Sequence, residues 1–114
     1  MPTLFHDADL ELNLAGTRQH VEFLLDRGLN AENGVLLVGG AAGDFSTMTL
    51  DERVRVTEAA VQASDNRIGV VMGAQTTSTR ELVKLACAAQ RVGAEFIQVS
   101  PPFYFTHTEA DLFD

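Results

Sequence analysis

Three short apolar runs recur along the chain at an even spacing. Val35–Val38, Ile68–Met72 and Phe96–Val99 each end in small or polar residues and are followed by a stretch with helical periodicity. Runs this short and this apolar predict strands covered on both faces, as in a parallel sheet. Their starts repeat about every 30 residues, the size of one βα unit. Between them, Val21, Leu24 and Leu25 make one stripe and predict a helix over Thr17–Arg27, closed by Gly28 as the residue after its last turn. Leu50–Ser64 predicts a second helix, with Leu50, Val54, Thr57 and Val61 inward and Arg53, Arg55 and Glu58 outward. A third runs from Ser78 to about Arg91, with Leu82, Leu85, Ala86 and Ala89 inward and Gly93 at its end. Two capping boxes open these last helices, Thr49-Leu-Asp-Glu52 and Ser78-Thr-Arg-Glu81. Asp65-Asn66 marks a turn. Thr108 caps a helix beginning at Glu109, and Met1–Asn13 reads as a strand end followed by a loop.

Strands alternating with helices give the α/β class, and right-handed crossovers make the sheet parallel. Periodicity alone does not separate a doubly wound sheet from a (β/α)8 barrel. In both, sites lie at the carboxyl ends of strands. The first such junction is Gly39-Gly-Ala-Ala-Gly-Asp44, where little side-chain bulk lets another group approach the backbone. With a helix start behind it, this loop suits an anion. It matches neither the P-loop nor the dinucleotide fingerprint.

Composition narrows the function. The 114 residues fit one domain without a linker, and 16 acidic against 8 basic residues give a net charge of −8. That opposes binding to nucleic acid or to an anionic membrane. One cysteine, Cys87, excludes an internal disulfide; it sits in a helical pattern and is expected in or near the core. With no leader pattern and no long apolar run, a cytoplasmic protein is expected. His6, His20 and His107 are scattered without metal-ligand spacing, so no metal site is expected. Asp44 is expected to cap its loop or bond backbone amides. Tyr104, the one tyrosine, follows the third strand, where it either serves a site or packs with Phe103 and Phe105. Lys84, the one lysine, falls mid-helix, unlike a Schiff-base lysine in a desolvated pocket.

Gly40-Ala-Ala-Gly-Asp44, followed by Phe45-Ser46 and Leu50-Asp-Glu-Arg53, resembles the Gly-Thr-Thr-Gly-Glu loop of the dihydrodipicolinate synthase / N-acetylneuraminate lyase family. Pro102-Phe-Tyr104 resembles that family's Pro-Tyr-Tyr segment, and Pro2-Thr-Leu-Phe5 the end of its first strand. The resemblance implies a pyruvate-type, Schiff-base class I aldolase on a TIM (β/α)8 barrel, without a cofactor, as a homo-oligomer (dimer or tetramer). Gly40, Ala41, Ala42, Gly43 and Asp44 would bind the carboxylate of a pyruvate-like 2-keto acid through backbone N–H groups. Tyr104 would be the interfacial tyrosine of a hydroxyl relay. Ala41 and Ala42 replace two threonines, so the relay through this loop is lost. That disfavours lysine-biosynthetic synthase activity and favours a lyase, aldolase or sugar-acid dehydratase. The family's Schiff-base lysine lies on later strands and has no counterpart here.

A whole barrel needs on the order of 250 residues. Residues 1–114 are therefore expected to form about half a barrel, from the end of strand one to the start of the helix after strand four. Two other readings compete: an anion- or nucleotide-binding flavodoxin-like domain, and a catalytically inactive paralogue. Open sheet edges and the missing lysine predict that residues 1–114, expressed alone, will not be a catalytic monomer. A compact, active monomer in sedimentation and activity assays would overturn this.

Overall fold

β-Branched and aliphatic runs form the strands as expected, and the computed structural model describes residues 1–102 and 106–113. The order is α1 (Leu14–Asp26), β1 (Val35–Val38), α2 (Leu50–Ser64), β2 (Gly69–Gly73), α3 (Thr79–Val92), β3 (Phe96–Gln98) and α4 (Glu109–Phe113). The sheet is parallel, in the order β1-β2-β3. Val35 pairs with Gly69, Leu37 with Val71, Val71 with Phe96, and Gly73 with Gln98. Strand order rises without reversal, and a sheet of this kind curls in one direction. A flavodoxin-like sheet places its first strand between the second and third.

The core lies on one face. Leu36, Val38 and Val70 join Val21 of α1 and Val56 and Ala60 of α2 in one buried cluster. Met72 joins Leu85 and Ala89 of α3 in another, with Leu50 and Val54 of α2 packed against it. The opposite face stays open: Val35 and Phe96 are exposed, Phe96 by 64%. Within residues 1–114 the strands are thus covered on one face only, the other being the face that the rest of a barrel would cover. Among the described residues the helices α1 to α3 cover one side, and β3 is exposed throughout. Met1 to Phe5 forms no strand either. Phe5 makes a single antiparallel bridge to Leu12, because the chain turns back through His6 N–H to the Glu11 carbonyl at 2.8 Å. Met1 N donates to the Leu37 carbonyl at 2.7 Å and so occupies the edge of β1.

Caps account for the helix ends. α1 begins three residues earlier than periodicity suggests, since the Asn13 side chain accepts from Gly16 N–H at 2.7 Å. Gly28 follows α1 at φ +104°, a conformation open to glycine. The Thr49–Glu52 box is complete. The Ser78 box is only half formed. Ser78 N–H donates to Thr76 Oγ1 at 3.1 Å, and Thr76 Oγ1 donates to Glu81 at 2.8 Å, so Glu81 does not reach back to the cap. Asp65 and Asn66 turn the chain with positive φ. Thr108 caps α4 by accepting from Asp111 N–H at 3.3 Å.

Two burial assignments are reversed, one in each direction. Arg53 is 4% exposed; Nη1 donates to the Gln75 carbonyl at 2.9 Å and Nη2 to the Gly73 carbonyl at 2.7 Å. It lies on the stripe of Val56, Thr57 and Ala60, so helix geometry carries it inward. Cys87, expected near the core, is exposed, because the inward face of α3 passes through Leu85, Ala88 and Ala89 instead. Among the described residues, no helix is long and apolar enough to cross a membrane.

Thr49→Ala removes the side-chain cap of α2 and is expected to cost about 1 kcal/mol, read as a lower urea midpoint. Arg53→Met leaves two buried carbonyls without donors. It is expected to cost about 3 kcal/mol in the same measurement, and an unchanged midpoint would contradict the role given to Arg53.

Candidate functional site

The loop after β1 is built from two tight turns. Gly39 sits at φ +66°, Ala41–Gly43 form one 3-10 turn, Asp44 adopts a left-handed conformation at φ +57°, and Phe45–Thr47 form a second. Gly43 N–H donates to the Gly40 carbonyl at 2.9 Å and Asp44 N–H to the Ala41 carbonyl at 3.4 Å. These two bonds close the first turn and leave the N–H groups of Ala41 and Ala42 outside it. Both alanines are exposed, whereas Gly39, Gly40 and Gly43 are buried. The loop thus offers two adjacent backbone donors on a small, fixed turn at a strand's carboxyl end, a geometry suited to an oxyanion.

Packing explains the glycines. A Cβ on Gly43 would fall 2.9 Å from the Met1 carbonyl oxygen. The Thr3 hydroxyl donates to the Gly43 carbonyl and pins the turn from below. Asp44 departs from its expected role. Its side chain makes no cap hydrogen bond, and its contribution is through the main chain: its carbonyl accepts from Thr47 N–H at 3.0 Å and from Thr47 Oγ1 at 2.8 Å. Aspartate tolerates the left-handed region better than most side chains, which suits it to the position. Its carboxylate is left exposed beside Thr47.

Behind the loop lies the end of β2. A Cβ on Gly73 would fall 2.1 Å from the Gly39 carbonyl oxygen, so the two backbones meet where only glycine fits. Gln75 follows, 8% exposed, and its Nε2 donates to Gln98 Oε1 of β3 at 2.6 Å. Arg53 reaches the same strand end, and its guanidinium lies 5.4 Å from the centre of the Phe45 ring. Burial holds that guanidinium below its ordinary range, while the Glu81 carboxylate acts the other way. The loop residues Gly40 to Asp44 thus lie beside Thr3, Gly73, Gln75 and Gln98, with Arg53 behind them. The position of Arg53 in the α2 stripe was the available signal for it. The two glutamines carry no local pattern; only the parallel register brings them together.

Tyr104 lies outside the described residues, as do Phe103 and Phe105. Lys84 is exposed on α3, on the side of the sheet away from the loop's open face. Among the described residues, no three His, Cys, Asp or Glu side chains converge on a site able to hold a metal ion.

Comparison with known proteins gives this geometry a family. The sequence model of the dihydrodipicolinate synthetase family matches residues 1–114. The chain is 33% identical over 97 residues to the 4-hydroxy-tetrahydrodipicolinate synthase of Methanococcus aeolicus, covering 85% of this chain and 32% of that protein. It is 32% identical over 105 residues to a protein of Escherichia coli K12 named as a putative 2-dehydro-3-deoxy-D-gluconate aldolase, YagE, covering 92% of this chain and 33% of that protein. The crystal structure of dihydrodipicolinate synthase from Aquifex aeolicus superposes with a TM-score of 0.88 at 32% identity, covering 99% of this chain and 36% of that one. The chain spans about a third of the length of the curated relatives it matches. Its rising parallel strands, with helices on one side, are one part of their (β/α)8 barrel. By sequence and by fold alike, this chain belongs to the dihydrodipicolinate synthetase family.

Proposed function

We propose that the chain supplies the N-terminal units of a pyruvate-type class I aldolase, lyase or sugar-acid dehydratase. One observation carries the proposal: a family match over the whole chain coincides with a turn, just past a strand's carboxyl end, whose own hydrogen bonds leave out the N–H groups of Ala41 and Ala42. In this reading the N–H groups of Ala41 and Ala42 hold the carboxylate of a 2-keto acid. A lysine from outside residues 1–114 attacks the keto carbon. Loss of water gives an imine, and loss of a proton from the adjacent carbon gives an enamine. That enamine adds to an aldehyde, or forms when one departs. Lys84 does not take this role, because it is exposed on the outer helix α3 rather than set in a desolvated pocket at a strand end.

Ala41 and Ala42 decide the branch. With no hydroxyl on either residue, the loop binds but relays no proton. Lyase, aldolase or dehydratase chemistry then fits better than lysine-biosynthetic condensation. Tyr104 is the remaining hydroxyl of the relay, acting at the interface of a cytoplasmic homo-oligomer. The same two alanines favour a second reading, an inactive paralogue that binds keto acid without turning it over.

The test is borohydride reduction of the full-length polypeptide carrying this chain in the presence of pyruvate. A keto-acid adduct on a single lysine is expected. No adduct with pyruvate or any other 2-keto acid would reject the enzyme reading, and an adduct without turnover of any aldehyde or sugar acid would favour the inactive paralogue.

A further inference from the structure

A gap in the inner face of the sheet is filled by two glutamine side chains. Gln98 pairs in register with Gly73, so its side chain leaves β3 on the face that the helices do not cover. A Cβ on Gly40 would stand 3.4 Å from Gln98 Oε1 and 3.0 Å from Leu37 Cδ2. Rooted on β3, Gln98 therefore passes over β2 and ends beside Gly40, the second residue of the loop that follows β1. Gly73 is the position it crosses, and a side chain there would block the path.

Gln98 is held firmly. Ala74 N–H donates to its carbonyl at 2.9 Å, and Gln75 Nε2 donates to its Oε1 at 2.6 Å. Gln75 is itself fixed, since Arg53 Nη1 donates to its carbonyl. Gln75 Oε1 is buried and has no partner among the described residues. The direction of the amide pair follows from that burial. Reversing it would bury two unpaired N–H groups of Gln75 in place of one unpaired oxygen, at a higher desolvation cost. With Oε1 of Gln98 taken, the part of its amide left for the barrel interior is the Nε2 donor.

We infer that Gln98 is a specificity-determining residue of the keto-acid site: oriented by Gln75, its Nε2 donates to the substrate carboxylate that the Ala41 and Ala42 N–H groups hold. This rests on the aldolase reading above. A neutral amide suits the position, because it selects a carboxylate without supplying a second amine to compete for the keto carbon.

The experiment measures borohydride trapping against pyruvate concentration in the full-length polypeptide. Gln98→Leu is expected to raise the half-saturating pyruvate concentration about tenfold, the loss of one hydrogen bond to a charged group, with the adduct at saturation unchanged. Gln98→Glu is expected to raise it further at neutral pH and to recover as the pH falls and the new carboxyl is protonated, a reversal that a purely structural role would not give. Gln98→Asn, with the amide kept and one methylene lost, is expected to fall between wild type and leucine, and it serves if the leucine variant does not fold. Gln75→Leu is expected to give about a threefold rise, through loss of orientation alone. If wild type traps pyruvate and the folded Gln98 variants share its half-saturation, this inference is overturned and the aldolase reading stands. If wild type traps no 2-keto acid, both fall.

Discussion

A buried guanidinium holds the site end of this structure together. Arg53 projects from α2 into the space behind β2 and gives two of its donors to the carbonyls of Gly73 and Gln75. Those carbonyls lie at and just past the end of β2, where the ladder no longer supplies partners. Burying a cation is costly, and Arg53 Nε finds no partner among the described residues. Two short charge-assisted bonds and the face of Phe45 offset that cost. Phe45 belongs to the second turn of the anion loop, so one side chain joins a helix, a strand end and the loop.

The second constraint is the contact between Gly39 and Gly73. No side chain fits between these backbones, so the ends of β1 and β2 are drawn together. That closeness opens the inner face above Gly73 to Gln98. Glycine here serves three ends at once: close approach of two strands, the left-handed bend at Gly39, and room for an amide from the next strand. A site assembled this way depends on register. A slip of one residue in β3 would turn Gln98 to the helix side and bring Ile97 into the barrel.

Much of the fold was legible in the chain. β1 and α2 lie where their patterns place them, because each has both an apolar period and a clear boundary. α1 was read short, since Asn13 caps it ahead of an Ala-Gly pair that weakens the helical signal. A run such as Val35–Val38 suits a strand covered on both faces, and its second face is open here because residues 1–114 span only about a third of the length of their relatives. Charge alone places Arg53 outward, whereas its position in the stripe places it inward. The small-residue loop after β1 is legible because its pattern is local. Gln75 and Gln98 are not, as 23 residues separate them and parallel pairing alone joins them.

In the proposed reading the loop would separate binding from proton transfer, because different atoms would do each job. Backbone N–H groups point where the turn directs them, whatever side chain the residue carries, provided it fits the conformation. Ala41 and Ala42 are exposed, so no packing contact depends on a larger residue there. Methyl groups in place of hydroxyl-bearing side chains therefore leave the two donors in place while removing the hydroxyls at these two positions. If the loop holds a carboxylate as proposed, the chemistry could change at these two positions without rebuilding that contact. The net charge of −8 does not oppose this, because water and salt screen distant carboxylates while the two N–H dipoles act at contact distance. In that reading recognition of the carboxylate would be local and main-chain, and the reaction would be set by the side chains around it.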